Sequence, residues 1–214
     1  MTYLQLVNSV LRRLREEEVS TVSQNSYSKL IGEFVNDAKR TVEDAYDWTA
    51  LRTELSVSLV ADTTTYSLTN AGSNLKVFNV VNETSKNFIQ YRGSAWMDNE
   101  NLVTPAPTGQ PQYYCFKGVD ANGDDIVEIY PNPDKAYTLT FNTAVRTADF
   151  SSDTARLTVP SMPVVQMATA LGARERGETG GTSAAELFAL ADVSLSDAIA
   201  YDAAKHPEET IWYS

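Results

Sequence analysis

The residues whose types could do chemistry are few and far apart. The chain of 214 residues holds one histidine, His206, and one cysteine, Cys115. A Ser/His/Asp hydrolytic set would need His206 as its base. That histidine stands beside Pro207, near the expected end of a helix, and reads as a surface or helix-terminal residue. Cys115 lies in the apolar run Tyr113-Tyr114-Cys115-Phe116 and reads as a small buried hydrophobe rather than a nucleophile. One histidine and one cysteine cannot build a structural zinc site.

Asp120-Ala121-Asn122-Gly123-Asp124-Asp125 places Asp, Asn and Asp at alternate positions, as calcium loops do. The helix-loop-helix version also needs glycine sixth and glutamate twelfth, where this chain has Asp125 and Pro131. An acidic hairpin turn centred on Asn122-Gly123 accounts better for the segment. Gly177-Glu178-Thr179-Gly180-Gly181 lacks the lysine and the preceding strand of a phosphate cradle, so it reads as an interhelical linker. No pair of carboxylates stands out as acid and base. The sequence therefore assigns no catalytic, cofactor-binding or metal-ligating residue, and the expectation is a protein that is not an enzyme.

Composition narrows the classes further. Hydrophobic residues make up 43% and aromatic residues 10%, the balance of a chain that folds. No window reaches the ~18 continuous apolar residues of a membrane span. Met1-Thr2-Tyr3-Leu4 lacks a basic patch leading into an apolar core, so no secretory signal is expected. A lone cysteine excludes an internal disulfide framework and suits a reducing cytoplasm. The net charge of −11 divides into about −2 over residues 1–48, −4 over 49–150 and −5 over 151–214. Tight nucleic-acid binding needs clustered cations, the opposite of this balance. The one basic cluster, Arg12, Arg13 and Arg15, is followed at once by Glu16, Glu17 and Glu18 and reads as self-neutralising.

The elements that would position any site begin at Thr2-x-x-Gln5, which has the spacing of a capping box. Leu4, Val7, Val10, Leu11 and Leu14 then form one apolar stripe. After the polar segment Ser20–Ser26, a second stripe runs through Tyr27, Leu30, Ile31, Phe34, Val35, Ala38, Val42, Ala45 and Tyr46. Glu33, Asp37, Lys39, Arg40, Glu43 and Asp44 fall on or beside its wet face. Beyond Asp47-Trp48 the period changes to two, with Leu55, Val57 and Leu59 against Glu54, Ser56 and Ser58. Thr65–Leu68 reads as their hairpin partner, and further strands are predicted at Lys76–Val81, Phe88–Tyr91, Gln112–Lys117, Ile126–Tyr130 and Tyr137–Val145. Arg92–Asn101 reads as a short helix or a covering loop. After Phe150 the chain returns to helix, first from Ser161 to about Arg176, then from a capping box at Ser183-x-x-Glu186 through Tyr201.

Two helix pairs flank the β block, and neither pair has the apolar area to stand alone. The expectation is an α+β fold: a four-helix bundle formed by residues 1–49 and 150–214, carrying an inserted, mainly antiparallel β domain over 50–149. Trp48 would plug the seam between them. Residues 207–214 would form a C-terminal tail.

With these residues in hand, the chain resembles the head-to-tail adaptor (connector, tail tubular protein A-like) family of tailed bacteriophages. The resemblance rests on "YLQLVNSVLRRLREEEVSTV", "LIGEFVNDAKRTVEDAYDWTALR", the strand pair "LSVSLVADTTTYSL", the hairpin "VEIYPNPDKAYTLTFNT" and the closing Ala-rich helices. It implies a structural virion protein in the neck or tail, assembled from the host cytoplasm. Such a protein forms a homo-oligomeric ring, usually a dodecamer, between the portal protein and the tail or nozzle protein, with genomic DNA passing through its channel. On that reading Lys39, Arg40, Glu43 and Asp44 could pair laterally between neighbours, and acid from the last helix and the β block would line the channel. Ile211, Trp212 and Tyr213 would either dock into a neighbouring ring or the portal, or fold back on their own bundle. The alternative is a carbohydrate- or cell-surface-binding virion module, with tyrosines and tryptophans of the β block stacking on sugar rings.

Overall fold

The Thr2 capping box is where the first helix begins. Gln5 N–H donates to the Thr2 hydroxyl at 3.3 Å, and Thr2 N–H donates to Gln5 Oε1 at 2.9 Å, so two otherwise free donors are satisfied. The computed structural model describes residues 1–70, 72, 74–102, 107–177 and 184–206. Its helices are α1 (Tyr3–Arg13), α2 (Ser26–Ala45), α3 (Ser94–Asn101), α4 (Ser161–Glu175) and α5 (Ala184–Ala203), with a 3-10 turn at Thr49–Leu51. The chain divides into two compact units, one drawn from residues 1–51 and from residue 147 onward, the other from Arg52–Arg146.

In the first unit α1, α2 and α4 pack on one another. Tyr3, Leu6, Val7, Val10 and Leu11 form the inner face of α1, with Leu4 only half-buried, a small rotation from the predicted stripe. Two glycines set how closely the helices approach. A Cβ on Gly32 of α2 would lie 2.3 Å from the Tyr3 hydroxyl, and one on Gly172 of α4 would lie 2.7 Å from Leu14 Cδ1. The first N–H groups of α1 are not left to water. Tyr3 donates to the Ala155 carbonyl at 2.8 Å and Leu4 to that of Asp153 at 3.2 Å.

The second unit holds β1 (Arg52–Leu59), β2 (Thr65–Ser67), β3 (Leu75–Asn82), β4 (Asn87–Tyr91), β5 (Thr108–Gly109), β6 (Tyr113–Val119), β7 (Asp125–Tyr130), β8 (Asn132–Pro133) and β9 (Tyr137–Val145). Seven of them form one sheet in the order β1-β9-β3-β4-β6-β7-β2, while β5 and β8 pair separately. β1 lies on β9 in the register Leu55↔Phe141, Val57↔Leu139, Leu59↔Tyr137, so its alternating apolar residues stack on those of β9. Leu59, Leu68, Val80, Ile89, Tyr114, Val127, Ile129, Tyr137, Leu139 and Phe141 make the core. The hairpin predicted between Leu55–Leu59 and Thr65–Leu68 is not formed as a strand pair, because β2 pairs with β7 instead. β4 and β6 run parallel, which the intervening α3 permits by carrying the chain back between them.

The expected fold, a four-helix bundle with an inserted, mainly antiparallel β domain, is therefore corrected to a mixed α+β arrangement of five helices and a large seven-stranded sheet. The physical reason lies largely in α5. It packs mainly on α4, and apart from Ala191 and Asp202 its residues, Leu187, Phe188, Leu195 and Ile199 among them, are at most half-buried, so it does not close a bundle core.

Candidate functional site

The polar residues of α2 divide into an inward and an outward set, and only the outward set was readable as such. Asn36 forms a two-way clamp on the Phe150 backbone: its Nδ2 donates to the carbonyl at 3.3 Å, and Phe150 N–H donates to its Oδ1 at 2.9 Å. One turn on, Lys39 is 1% exposed and Glu43 is 5% exposed. Lys39 Nζ donates to the Thr147 carbonyl at 2.8 Å, to that of Ala148 at 3.0 Å and to Glu43 at 3.3 Å. The Thr147 hydroxyl donates to Glu43 Oε1 at 2.6 Å. A buried charge pair of this kind persists only where its remaining donors and acceptors are filled, and here the backbone of residues 147–148 fills them.

Of the four residues expected to pair laterally, Lys39 and Glu43 are thus spent inside the unit, contrary to their placement on or beside the wet face. Arg40 is half-buried and Asp44 exposed. Arg40 donates to Asp37 at 2.8 Å and makes a forked contact with both oxygens of Asp149, which holds its guanidinium above its usual range. Ile211, Trp212 and Tyr213 lie outside the described residues, as do Pro207, Ser183 and most of the Gly177–Gly181 linker. Trp48 is buried. Its indole N–H donates to the Val42 carbonyl at 2.6 Å and so satisfies a carbonyl in the last turn of α2.

His206 takes part in a polar cluster that sequence reasoning missed. Its Nε2 lies 2.8 Å from the Thr49 hydroxyl, which is also 3.0 Å from Asp202 Oδ2. Thr49 N–H donates to the same carboxylate oxygen at 2.7 Å, and Lys205 Nζ donates to its other oxygen at 2.7 Å. Burial works to raise the Asp202 carboxyl, yet the hydrogen bonds from Lys205 and Thr49 outweigh it and hold the group below its ordinary range. Acid and imidazole converge on one hydroxyl, an arrangement that fastens the end of α5 to the 3-10 turn. No local signal joins positions 49 and 202, so spacing alone could not have found it.

In the second unit the acidic segment forms the β6–β7 turn. Asp120 Oδ1 accepts from Asn122 N–H at 2.8 Å and Asp124 N–H at 3.0 Å, and Gly123 takes a φ of 88°. The Asp124 N–H bond chiefly, against some desolvation, lowers the Asp120 carboxyl. Asp124 accepts from Gly72 N–H at 2.9 Å and Asn70 N–H at 3.1 Å. Among the described residues, no group of three or more His, Cys, Asp or Glu is placed to hold a metal ion. Cys115 is buried, and burial followed by the nearby Glu128 carboxylate pushes its thiol up, away from nucleophilic reactivity. Trp96 meets Tyr113 and Tyr130 edge-on at 5.0 and 5.4 Å, and the Arg92 guanidinium lies 4.9 Å from the Tyr113 centroid. These rings pack on one another and under a cation.

Lys39 and Glu43 are thus bound inward, and the carboxylates of Asp120 and Asp124 accept from backbone N–H groups. The family model of the SU10 adaptor protein matches residues 1–205. The chain belongs to the SU10 adaptor protein family. It is a structural adaptor of a bacteriophage particle, working through contact with other capsid or tail proteins. The match is to this adaptor family and does not extend to the tail tubular protein A-like branch. No curated protein matches the adaptor. None of its described helices is long and apolar enough to cross a membrane.

Proposed function

We propose that this adaptor forms a ring between the portal protein and the tail or nozzle protein and surrounds part of the channel through which genomic DNA passes. The observation that carries the reading is the adaptor-family match over residues 1–205. Twelve subunits is the usual number in the head-to-tail adaptors it resembles. A closed ring uses two different surfaces of each subunit, and Arg40 and Asp44 are the lateral candidates that retain outward exposure. Lys39 and Glu43 contribute indirectly, by fixing the backbone beside Arg40 and Asp149. The net charge of −11 suits a lumen, since a basic wall would hold the phosphates of moving DNA. Ile211, Trp212 and Tyr213 are proposed as anchors on the portal or a neighbouring ring, with assembly taking place in the host cytoplasm.

Electron microscopy of the protein incubated with the portal of its own virus tests this directly. An added ring on the portal is the expected result, and a bare portal at saturating protein contradicts it. Deleting residues 209–214 tests the anchor: portal binding is expected to weaken, and unchanged binding removes that part of the reading.

A further inference from the structure

α5 is apolar on two sides: Leu187, Phe188, Leu195 and Ile199 are half-buried and Ala191 buried, and a second apolar set faces out. Glu186, Leu190, Val193, Asp197 and Tyr201 recur at steps of four, three, four and four, and so form one line along it. Leu190 is 53% exposed, Val193 60% and Tyr201 84%. Ala189 and Ala200 are exposed beside them, small enough to let a second backbone come close. Where the line reaches Asp197 and Tyr201 it borders a cavity of about 450 Å³, lined also by Met162, Pro163 and Ala198 and by the Asp202–Lys205 ion pair, with room for a large apolar anchor.

Charge says what can cover this face. Of the acidic residues of 184–203, Glu186, Asp192 and Asp197 are exposed, Asp202 is buried and paired with Lys205, and the helix holds no lysine or arginine. Pairing α5 with α5 of a second copy would set like charges together. In the chain's own arginine cluster Arg12 is paired with Glu18 at 2.9 Å and Arg13 lies on Met162 Sδ at 3.6 Å. A lumen-lining α5 would leave Leu190, Val193 and Tyr201 in water.

We infer that the outward face of α5 is a docking surface for a helix of another protein of the particle, apolar along one stripe and flanked by Lys or Arg. The inference rests on the adaptor reading and adds to it the surface used and the chemistry of the partner.

Two probes keep the outcomes apart. The first is a helical peptide of Leu/Lys heptads, set against a Leu/Glu peptide of equal length. The full-length protein is expected to bind the Leu/Lys peptide only. A Leu190→Ser/Val193→Ser/Tyr201→Ser variant, with unchanged circular dichroism and melting, is expected to lose at least tenfold in affinity. Asp197→Lys is expected to lose several-fold with a shallower salt dependence. Equal binding by wild type and the triple variant overturns the inference, as does preference for the Leu/Glu peptide. So does concentration-dependent self-association that the triple variant abolishes, because the occupant is then a second copy. The second probe is the purified portal of the same virus. Portal binding that the triple variant retains in full overturns the α5 inference and leaves the portal reading intact. Peptide binding through α5 with no portal binding does the reverse.

Discussion

α2 and α5 are both helices of 20 residues, and they are built in opposite senses. α2 turns polar groups inward: Ser28, Asn36, Lys39 and Glu43 are buried among its apolar residues. α5 turns apolar groups outward and buries only Ala191 and Asp202. The inward polar groups of α2 hold backbone that has no strand or helix of its own at residues 147–150, where free N–H and C=O groups would otherwise be costly. Leu190, Val193 and Tyr201 of α5 are instead left exposed. One helix completes its own unit, and the other is left for a partner.

Removing one partner of the buried pair in α2 should give the largest effect. Lys39→Met strands the Glu43 carboxylate and the carbonyls of Thr147 and Ala148, and is expected to cost about 3–5 kcal/mol in denaturant unfolding. Adding Glu43→Leu should recover much of that loss, because the uncompensated charge is then gone. If the single change proves neutral, Lys39 is not the internal strut described here. Asn36→Ala leaves the Phe150 N–H and C=O without their clamp and is expected to cost about 2 kcal/mol by the same measurement.

Asp202 offers a pH test on the otherwise outward helix. Its folded-state carboxyl is held below the unfolded value, so its contribution is present above about pH 4, the ordinary carboxylate range. That contribution is lost as pH falls through the lowered folded-state value. Wild type should exceed Asp202→Asn by about 1–2 kcal/mol at pH 6 to 7, with the gap closing towards pH 2. A gap that persists at the lowest pH would show that the carboxylate's charge is not what fastens α5 to Thr49.

The smallest effect is expected where sequence intuition would place a large one. Leu190→Ser and Val193→Ser should each change stability by no more than about 0.5 kcal/mol, as surface substitutions do. A loss of about 2 kcal/mol or more would place these side chains in a core and remove the contrast with α2.

What the sequence makes legible follows from how local each signal is. The Thr2–Gln5 capping box, the buried apolar positions Ile31, Val35, Ala38 and Val42 of α2 and the alternation of β1 depend on neighbours within a turn or a strand, and these are visible in the pattern. The buried Ser28, Gly32, Asn36 and Glu43 instead fall outside the predicted stripe, and Ala45 within it is exposed. The partner of β1 is not: Leu55 faces Phe141 rather than the nearby Thr65–Leu68, and nothing within β1 distinguishes the two. Burial of Lys39 is hidden as well. A charged residue four before a glutamate reads as a solvated pair unless the carbonyls of Thr147 and Ala148 are known to lie above it. The bundle expectation fails for a related reason. The apolar content of α5 reads as core, whereas its arrangement around the helix leaves Leu190, Val193 and Tyr201 outside.

The contrast between the two helices is tested most directly by hydrogen–deuterium exchange of the full-length adaptor, alone and bound to its virus's portal. The account predicts new protection over residues 186–201 on binding, with residues 36–43 slow to exchange in both states. Protection elsewhere with α5 unchanged, or fast exchange of residues 36–43 in the free protein, would contradict it.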